Sequence, residues 1–303
     1  MSVETVSAVE KIEVEKPSLS PSREAWRRLR RRPIALLSGG FIVVIIIMAI
    51  FAPWIAQYAY DDPGKYAMPL LHPGGKHLLG TDNLGLDVFT RLLYGARVSL
   101  SVGVIVELIE VIIGVSIGLL AAYKGGIWDA IMMRITDAMF AFPDLLFAIL
   151  LVGIIQPSGV FASFLTVFVA LALVGWPGMA RLVRGQALAL REKEFVEAAR
   201  ASGVSGWGIA VRHMLPNMLS PIIVAVTVDI AGIIMAEATL SFLGIGIQPP
   251  YPSWGRMIND ARQSFRSEPF LLLMPSLALA GTVLAFNFFG DALRDAFDPR
   301  MRE

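Results

Sequence analysis

Six long apolar runs, separated by polar segments, organise the chain: about 33–56, 98–122, 138–156, 160–178, 217–247 and 270–290. Crossing a hydrocarbon core of about 30 Å takes roughly 20 helical residues, and each run is of that order. Backbone groups in lipid must bond within their own segment or around a closed barrel, and these runs show neither the alternation nor the shortness of barrel strands. The pattern predicts an all-α, polytopic membrane protein with six transmembrane helices.

The polar segments orient it. With the N-terminus inside, segments 1–32, 123–137, 179–216 and 291–303 face inward and hold 19 of the 26 Lys and Arg residues. Positive charge accumulates on the cytoplasmic side, so both termini and the long segment 179–216 are expected there. Trp54, Trp128, Trp176 and Trp254 fall near span ends, where an aromatic belt would sit. Residues 1–22 mix charge, Ser and Pro without apolar periodicity, which predicts a disordered tail. Residues 23–32 then read as a basic interfacial helix on an anionic leaflet, with Trp26 and Leu29 as its apolar stripe. A cleaved signal peptide is the competing reading of this start, but the following 24-residue run is longer than a signal core of about 7–15 residues. The six-helix membrane domain takes the remainder, 33–303.

Composition removes several functions. The chain is 55% hydrophobic and 17% charged, with a mean hydropathy of +0.65, no cysteine and three histidines. No disulfide or thiolate chemistry is available, and no metal or other cofactor is expected. His72 and His77 flank a Gly-Gly turn, but loop histidines are usually only solvated. A net charge of +1 says nothing about nucleic acid; it is the distribution of charge along the chain that informs the topology. The Gly-x4-Gly-Lys-Ser/Thr phosphate loop and His-Glu-x-x-His are missing, so no enzyme is expected and any ATP-derived energy must come from another chain.

One inward segment carries more pattern than a connector needs: EFVEAARASGVSGWGIAVRHMLPN, residues 194–217. Good helix formers precede Gly203, which can take the left-handed turn that stops a helix. A second short helix can run from Ser205 to Met214 until Pro216 blocks it. The predicted hairpin has a small, smooth tip of Ala198, Ala199, Ala201, Ser202 and Gly203, with Phe195 as an apolar knob. On residue types alone, a solvated connector and a docking element both fit.

The spans also contain acid. Glu107 and Glu110 share a helix face in the second span, and each charge at mid-bilayer costs roughly 2.5–3.5 kcal/mol on insertion scales. They should therefore avoid lipid, as should Asp229 and Glu237 in the fifth span. Glu107 and Glu110 are either a protonated or hydrogen-bonded pair buried against a partner subunit or, with Asp229, the lining of a substrate path.

Glu197, Ala198, Ala199 and Gly203, followed by Leu215, Pro216 and Asn217, resemble the EAA signature of ABC importer permeases. HLLGTDNLGLDVFTRLLYGARVSL (77–100), MMRITDAMFAFPDLLFAI (132–149), EATLSFLGIGIQPPYPSWG (237–255) and AFNFFGDALRDAFDPR (285–300) are similar to stretches of the dipeptide, oligopeptide and nickel permease subfamily, in the second-subunit type. The resemblance covers nearly the whole chain. It implies the type I ABC importer permease fold in a bacterial cytoplasmic membrane. Residues 194–217 would be the coupling element, with Phe195, Glu197, Ala198, Ala199, Gly203 and Pro216 serving ATPase docking. The implied partners are a second homologous permease, two ATP-binding cassette subunits, an extracytoplasmic solute-binding protein, a peptide-like substrate and membrane lipid, with no nucleic acid. Glu237 matches the family's pattern as a structural residue. Two departures stand out: Leu86 replaces the family's usual arginine, which leaves the role of Asp87 open, and Glu107 and Glu110 sit where the family is usually apolar or weakly polar.

Two classes follow: a permease subunit of an ATP-driven importer, or an ion-coupled secondary transporter relaying protons through Glu107, Glu110 and Asp229. A docking hairpin is needed only by the first.

Overall fold

A computed structural model describes residues 21–62, 68–156 and 158–298. Most of the predicted tail 1–22 lies outside the described residues. The helices are α1 (Pro21–Leu29), α2 (Pro33–Ile50), the single turn α3 (Ala52–Ile55), α4 (Val88–Lys124), α5 (Gly126–Phe140), α6 (Asp144–Ile155), α7 (Val160–Arg191) and α8 (Glu194–Ala201). They continue with the short α9 (Gly206–Gly208), a π-turn at Ile209–Met214, α10 (Leu215–Phe242), α11 (Trp254–Ala261) and α12 (Pro269–Phe297).

Among the described residues, five helical stretches are long and apolar enough to cross a membrane: Pro33–Ile50, Val88–Lys124, Val160–Arg191, Gly206–Phe242 and Pro269–Phe297. A sixth exists if α5 and α6 count as one span, bent by 85°. The straight span expected over 138–156 is thus broken. Pro143 lacks an N–H and disfavours helix at the residue before it, so α5 ends at Phe140 and a new helix starts at Asp144. Two other boundaries also differ from the sequence pattern. Helix α7 continues through Pro177 to Arg191, so the first third of segment 179–216 is helix rather than loop. Pro216 does not block the chain: it lies in the first turn of α10, directly after the π-turn, where Leu215 N–H bonds to Ala210 five residues back. That widened turn removes the need for the hydrogen bond that proline cannot make.

Small residues let the helices approach. Helices α4 and α7 meet at Gly114 and Gly118, four residues apart. A methyl on Gly114 would lie 2.6 Å from Met179 Cβ, and one on Gly118 would lie 2.6 Å from the Ala180 carbonyl oxygen. Close approach at a Gly-x3-Gly pair is a general way to associate helices in lipid, where the hydrophobic effect gives no net attraction between them. Gly103 against Ile234 joins α4 to α10, and Gly290 against Val228 joins α12 to α10.

Helix α1 lies against the end of α12, burying Ala25 and Leu29 beside Ala292 and Ala296. Arg32 pairs with Asp295 across the same junction. The start of α2 and the end of α12 are therefore on one side of the bundle. Trp26 and Leu29 do not form one stripe: Leu29 is buried while Trp26 is 60% exposed, with Arg30 over its ring. Nor do the four span-end tryptophans form one belt. Trp54 and Trp128 are exposed, whereas Trp176 is buried and Trp254, 1% exposed, packs on Gly95 and donates its indole N–H to the Leu92 carbonyl at 3.2 Å.

Candidate functional site

Two places bring the sequence's marked residues together: the hairpin that α8 and α9 form at one end of the bundle and a cavity between the helices. In the hairpin, α8 begins with Glu194 and Glu197 in its first turn and ends with Arg200 in its last, the charge order its dipole favours. It stops in a Schellman motif. Gly203 has φ +79°, Val204 N–H bonds to the Ala199 carbonyl at 3.1 Å, and Gly203 N–H bonds to Arg200 at 3.0 Å. Ser205 then restarts the helix, its side chain accepting from Gly208 N–H.

Val196 and Ala199 face inward onto Leu119, Ala122, Val183 and Ala187, the inner ends of α4 and α7, together with Ile209 and Met214. Ala199 therefore belongs to the seat of the hairpin and not to its smooth tip. Phe195, Glu197, Ala198, Gly203 and Pro216 are exposed. Gly206 lets the second arm close on Tyr123, whose ring a methyl there would meet at 2.2 Å. The hairpin is thus a polar, accessible surface held rigidly on the ends of membrane helices.

The second place is a cavity of about 640 Å³. Its lining includes Glu110, Asp144, Gly175, Asp229 and Asn287, from α4, α6, α7, α10 and α12. Asp144 and Asp229 are exposed at its open side, while Glu110 is 5% exposed within it. The Glu110 carboxylate rests directly on Gly175, where any side chain would overlap it. Glu107 does not line the cavity. It is 2% exposed one turn away, and both its oxygens are buried without a hydrogen-bond partner. Of the three candidate path residues, then, Glu110 and Asp229 share the cavity and Glu107 lies behind it. The contribution of Asp144 was missed because it follows Pro143 in what reads as an unbroken apolar span; the proline was the available signal.

The remaining acid has local work. Glu237 is fully buried and accepts from Ser99 at 2.9 Å and Ser241 at 2.7 Å, with the Ser253 hydroxyl also against it. It ties α10 to α4 and to the start of α11. Asp87, left open by the Leu86 departure, caps α4 by accepting from Thr90 N–H at 2.7 Å and pairs with His77 at 2.9 Å. Leu86 itself is buried, and the nearby Arg91 pairs with Asp82. His77 stacks on Tyr58 and His72 lies 3.5 Å from Glu268; among the described residues no cluster could hold a metal ion. At the same outer end, Tyr60 packs against Tyr94 and Tyr251, and burial with the Tyr251 hydrogen bond pushes its phenol up to about 12.

The described residues thus form a helical bundle with an exposed hairpin and a carboxylate-lined cavity. Residues 114–303 match the family described as binding-protein-dependent transport system inner membrane component, and the chain belongs to it. Residues 20–73 match the N-terminal TM domain of oligopeptide transport permease C. It is therefore a multi-pass inner-membrane permease component of an ABC importer, with the ATPase activity in separate subunits. Among curated relatives, the glutathione transport system permease protein GsiD of Pectobacterium atrosepticum is 42% identical over 283 residues, covering 93% of this chain and 92% of the relative. GsiD of Escherichia coli O157:H7 is 44% identical over the same length and coverage. Among solved structures, the inward-facing MetNI methionine ABC transporter has 18% sequence identity and a TM-score of 0.53, covering 69% of this chain and 97% of that chain. This likeness shows a shared fold. The ion-coupled alternative is not favoured.

Proposed function

We propose that the chain forms one half of the translocation path for a peptide or similar small solute, and that residues 194–217 are its coupling element to an ATPase subunit. The observation that carries this is the seating of α8. Val196 and Ala199 anchor it to the inner ends of α4 and α7, while Phe195, Glu197 and Ala198 face outward. A push on the exposed face would therefore pass straight into two spanning helices. In this reading both termini are cytoplasmic, residues 1–22 form a tail, residues 23–32 lie at the interface, and a second homologous permease covers the open side of the acidic cavity. Two ATPases would dock on the paired hairpins, and a solute-binding protein would deliver cargo from outside. The relatives named for glutathione transport support a small peptide as cargo.

The chain has no cysteine, so one introduced at Ala198 is unique in it. In the assembled transporter, Ala198→Cys should cross-link to a single cysteine on the ATPase surface, and ATP should change the yield. If cross-linking instead maps to the outer loops, or never occurs at Ala198, the coupling assignment is wrong.

A further inference from the structure

The cavity is short of positive charge. Its lining contains Glu110, Asp144 and Asp229 and no Lys, Arg or His. Glu110 points into it, is 95% removed from solvent, and has no hydrogen-bond donor among the described residues. Glu107, Asp229 and Asp144 all lie within electrostatic reach of Glu110, so the neighbourhood adds negative potential rather than relief.

Gly175 makes this arrangement possible, since the Glu110 carboxylate occupies the space that any side chain at 175 would fill. A carboxylate held this way is costly in a protein interior within a membrane, and it persists most readily where something supplies the opposite charge or a set of donors. Asp144 and Asp229 add two exposed carboxylates to the same lining, and fields of one sign are focused in such clefts. Asn287 supplies a neutral amide to the same lining.

We propose that this cavity is a recognition subsite for a protonated primary amine on the transported solute, with Glu110 as the deep anchor and Asp229 and Asp144 as the entry carboxylates. The proposal rests on the reading of the cavity as half of the path, and it narrows the cargo to solutes carrying an ammonium group. That group can be a peptide's amino terminus or a lysine side chain, which share the same chemistry. Three hydrogen-bond donors on a compact charge suit converging carboxylates from different helices, whereas a guanidinium would need a planar fork. The site has to release its ligand inward, so Glu110 should contribute discrimination rather than tight retention.

The test uses the complete transporter in proteoliposomes, supplied with a peptide on its binding protein. The probes are a tripeptide that the wild type imports, its N-acetylated twin, and an N-acetylated peptide bearing one lysine. Glu110→Gln should lower uptake of the free-amine peptide about tenfold relative to the acetylated twin, in the range of coupling energies measured for close charge pairs. A parallel loss for the lysine peptide would identify ammonium as the recognised group, and loss for the free amino terminus alone would restrict the subsite to that end. Because Glu110 is buried, Asp229→Asn serves as the variant that leaves packing intact; it should shift the same ratio in the same direction by a smaller factor. Gly175→Ala should shift it like Glu110→Gln, by displacing the carboxylate. An unchanged ratio in Asp229→Asn together with Glu110→Gln or Gly175→Ala overturns the subsite while leaving the permease reading standing. Absence of ATP-dependent uptake by the wild-type complex would instead overturn the permease reading.

Discussion

Arg184 grips Asp129 with two parallel hydrogen bonds, Nε to Oδ1 at 2.5 Å and Nη2 to Oδ2 at 2.6 Å. The pair joins α7 to the first turn of α5, the inner half of the broken span. One turn earlier on α7, Arg181 bonds to Asp137 at 2.6 Å and lies over the Phe140 ring at 4.0 Å. Two arginines on one face of α7 thus hold α5 along its length and fix the break that follows at residues 141–143.

The two ion pairs should differ in weight. The Arg184–Asp129 fork is partly buried, whereas both members of Arg181–Asp137 are about half exposed. Bidentate, partly buried pairs contribute more than exposed ones, which are worth about 0–1 kcal/mol. Arg184→Lys, which cannot reproduce the fork, should lower the thermal midpoint of the detergent-solubilised complex more than Arg181→Lys does. Equal midpoints for the two variants would show that the fork is not what secures α5.

At the hairpin, the turn at Gly203 requires a left-handed backbone, and no atom outside the local chain lies within 4 Å of where its side chain would begin. The cost of substitution is therefore conformational alone, about 1–2 kcal/mol for a non-glycine residue and more for a β-branched one. Gly203→Val should insert normally but transport several-fold more slowly per ATP hydrolysed, while Gly203→Asn should stay close to wild type. A wild-type uptake-to-hydrolysis ratio in Gly203→Val would remove the turn from the coupling mechanism.

Glu237 predicts a contrast between two replacements. The hydroxyls of Ser99 and Ser241 donate to opposite carboxylate oxygens, Ser99 to Oε2 and Ser241 to Oε1. Gln keeps one acceptor and the shape, whereas Leu leaves buried hydroxyls without partners, at about 1–3 kcal/mol for each unsatisfied group. Folded yield after solubilisation should fall sharply for Glu237→Leu and modestly for Glu237→Gln. If Leu matches the wild type, the serine network does not hold α4 to α10.

Asp87 offers a similar comparison at the outer end. Removing the N-cap acceptor for Thr90 costs about 0.5–2 kcal/mol, and Asn retains it. Asp87→Ala should therefore lower the thermal midpoint more than Asp87→Asn. Replacing His77 by Ala leaves the Thr90 cap in place and should have the smaller effect. The reverse order would mean that the His77 contact, not the cap, is the main role of Asp87.

Much of this molecule is determined by local sequence. Apolar runs of spanning length specify an α-helical membrane protein, because lipid requires each backbone segment to satisfy itself. The helix, turn and helix around Gly203 were also legible, since a left-handed stop is a property of one residue and its neighbours. Contacts between segments were not. Nothing near Glu110 in sequence says that Gly175 leaves room for its carboxylate, or that Asp144 and Asp229 arrive at the same cavity from α6 and α10. The inward turn of Ala199, the burial of Trp176 and Trp254, and the placing of Pro216 in a helical turn just after a π-turn were likewise decided by packing. A side chain's position on its own helix follows from a 3.6-residue period, but which neighbour that face meets depends on how the helices cross, and that is settled only when the whole bundle closes.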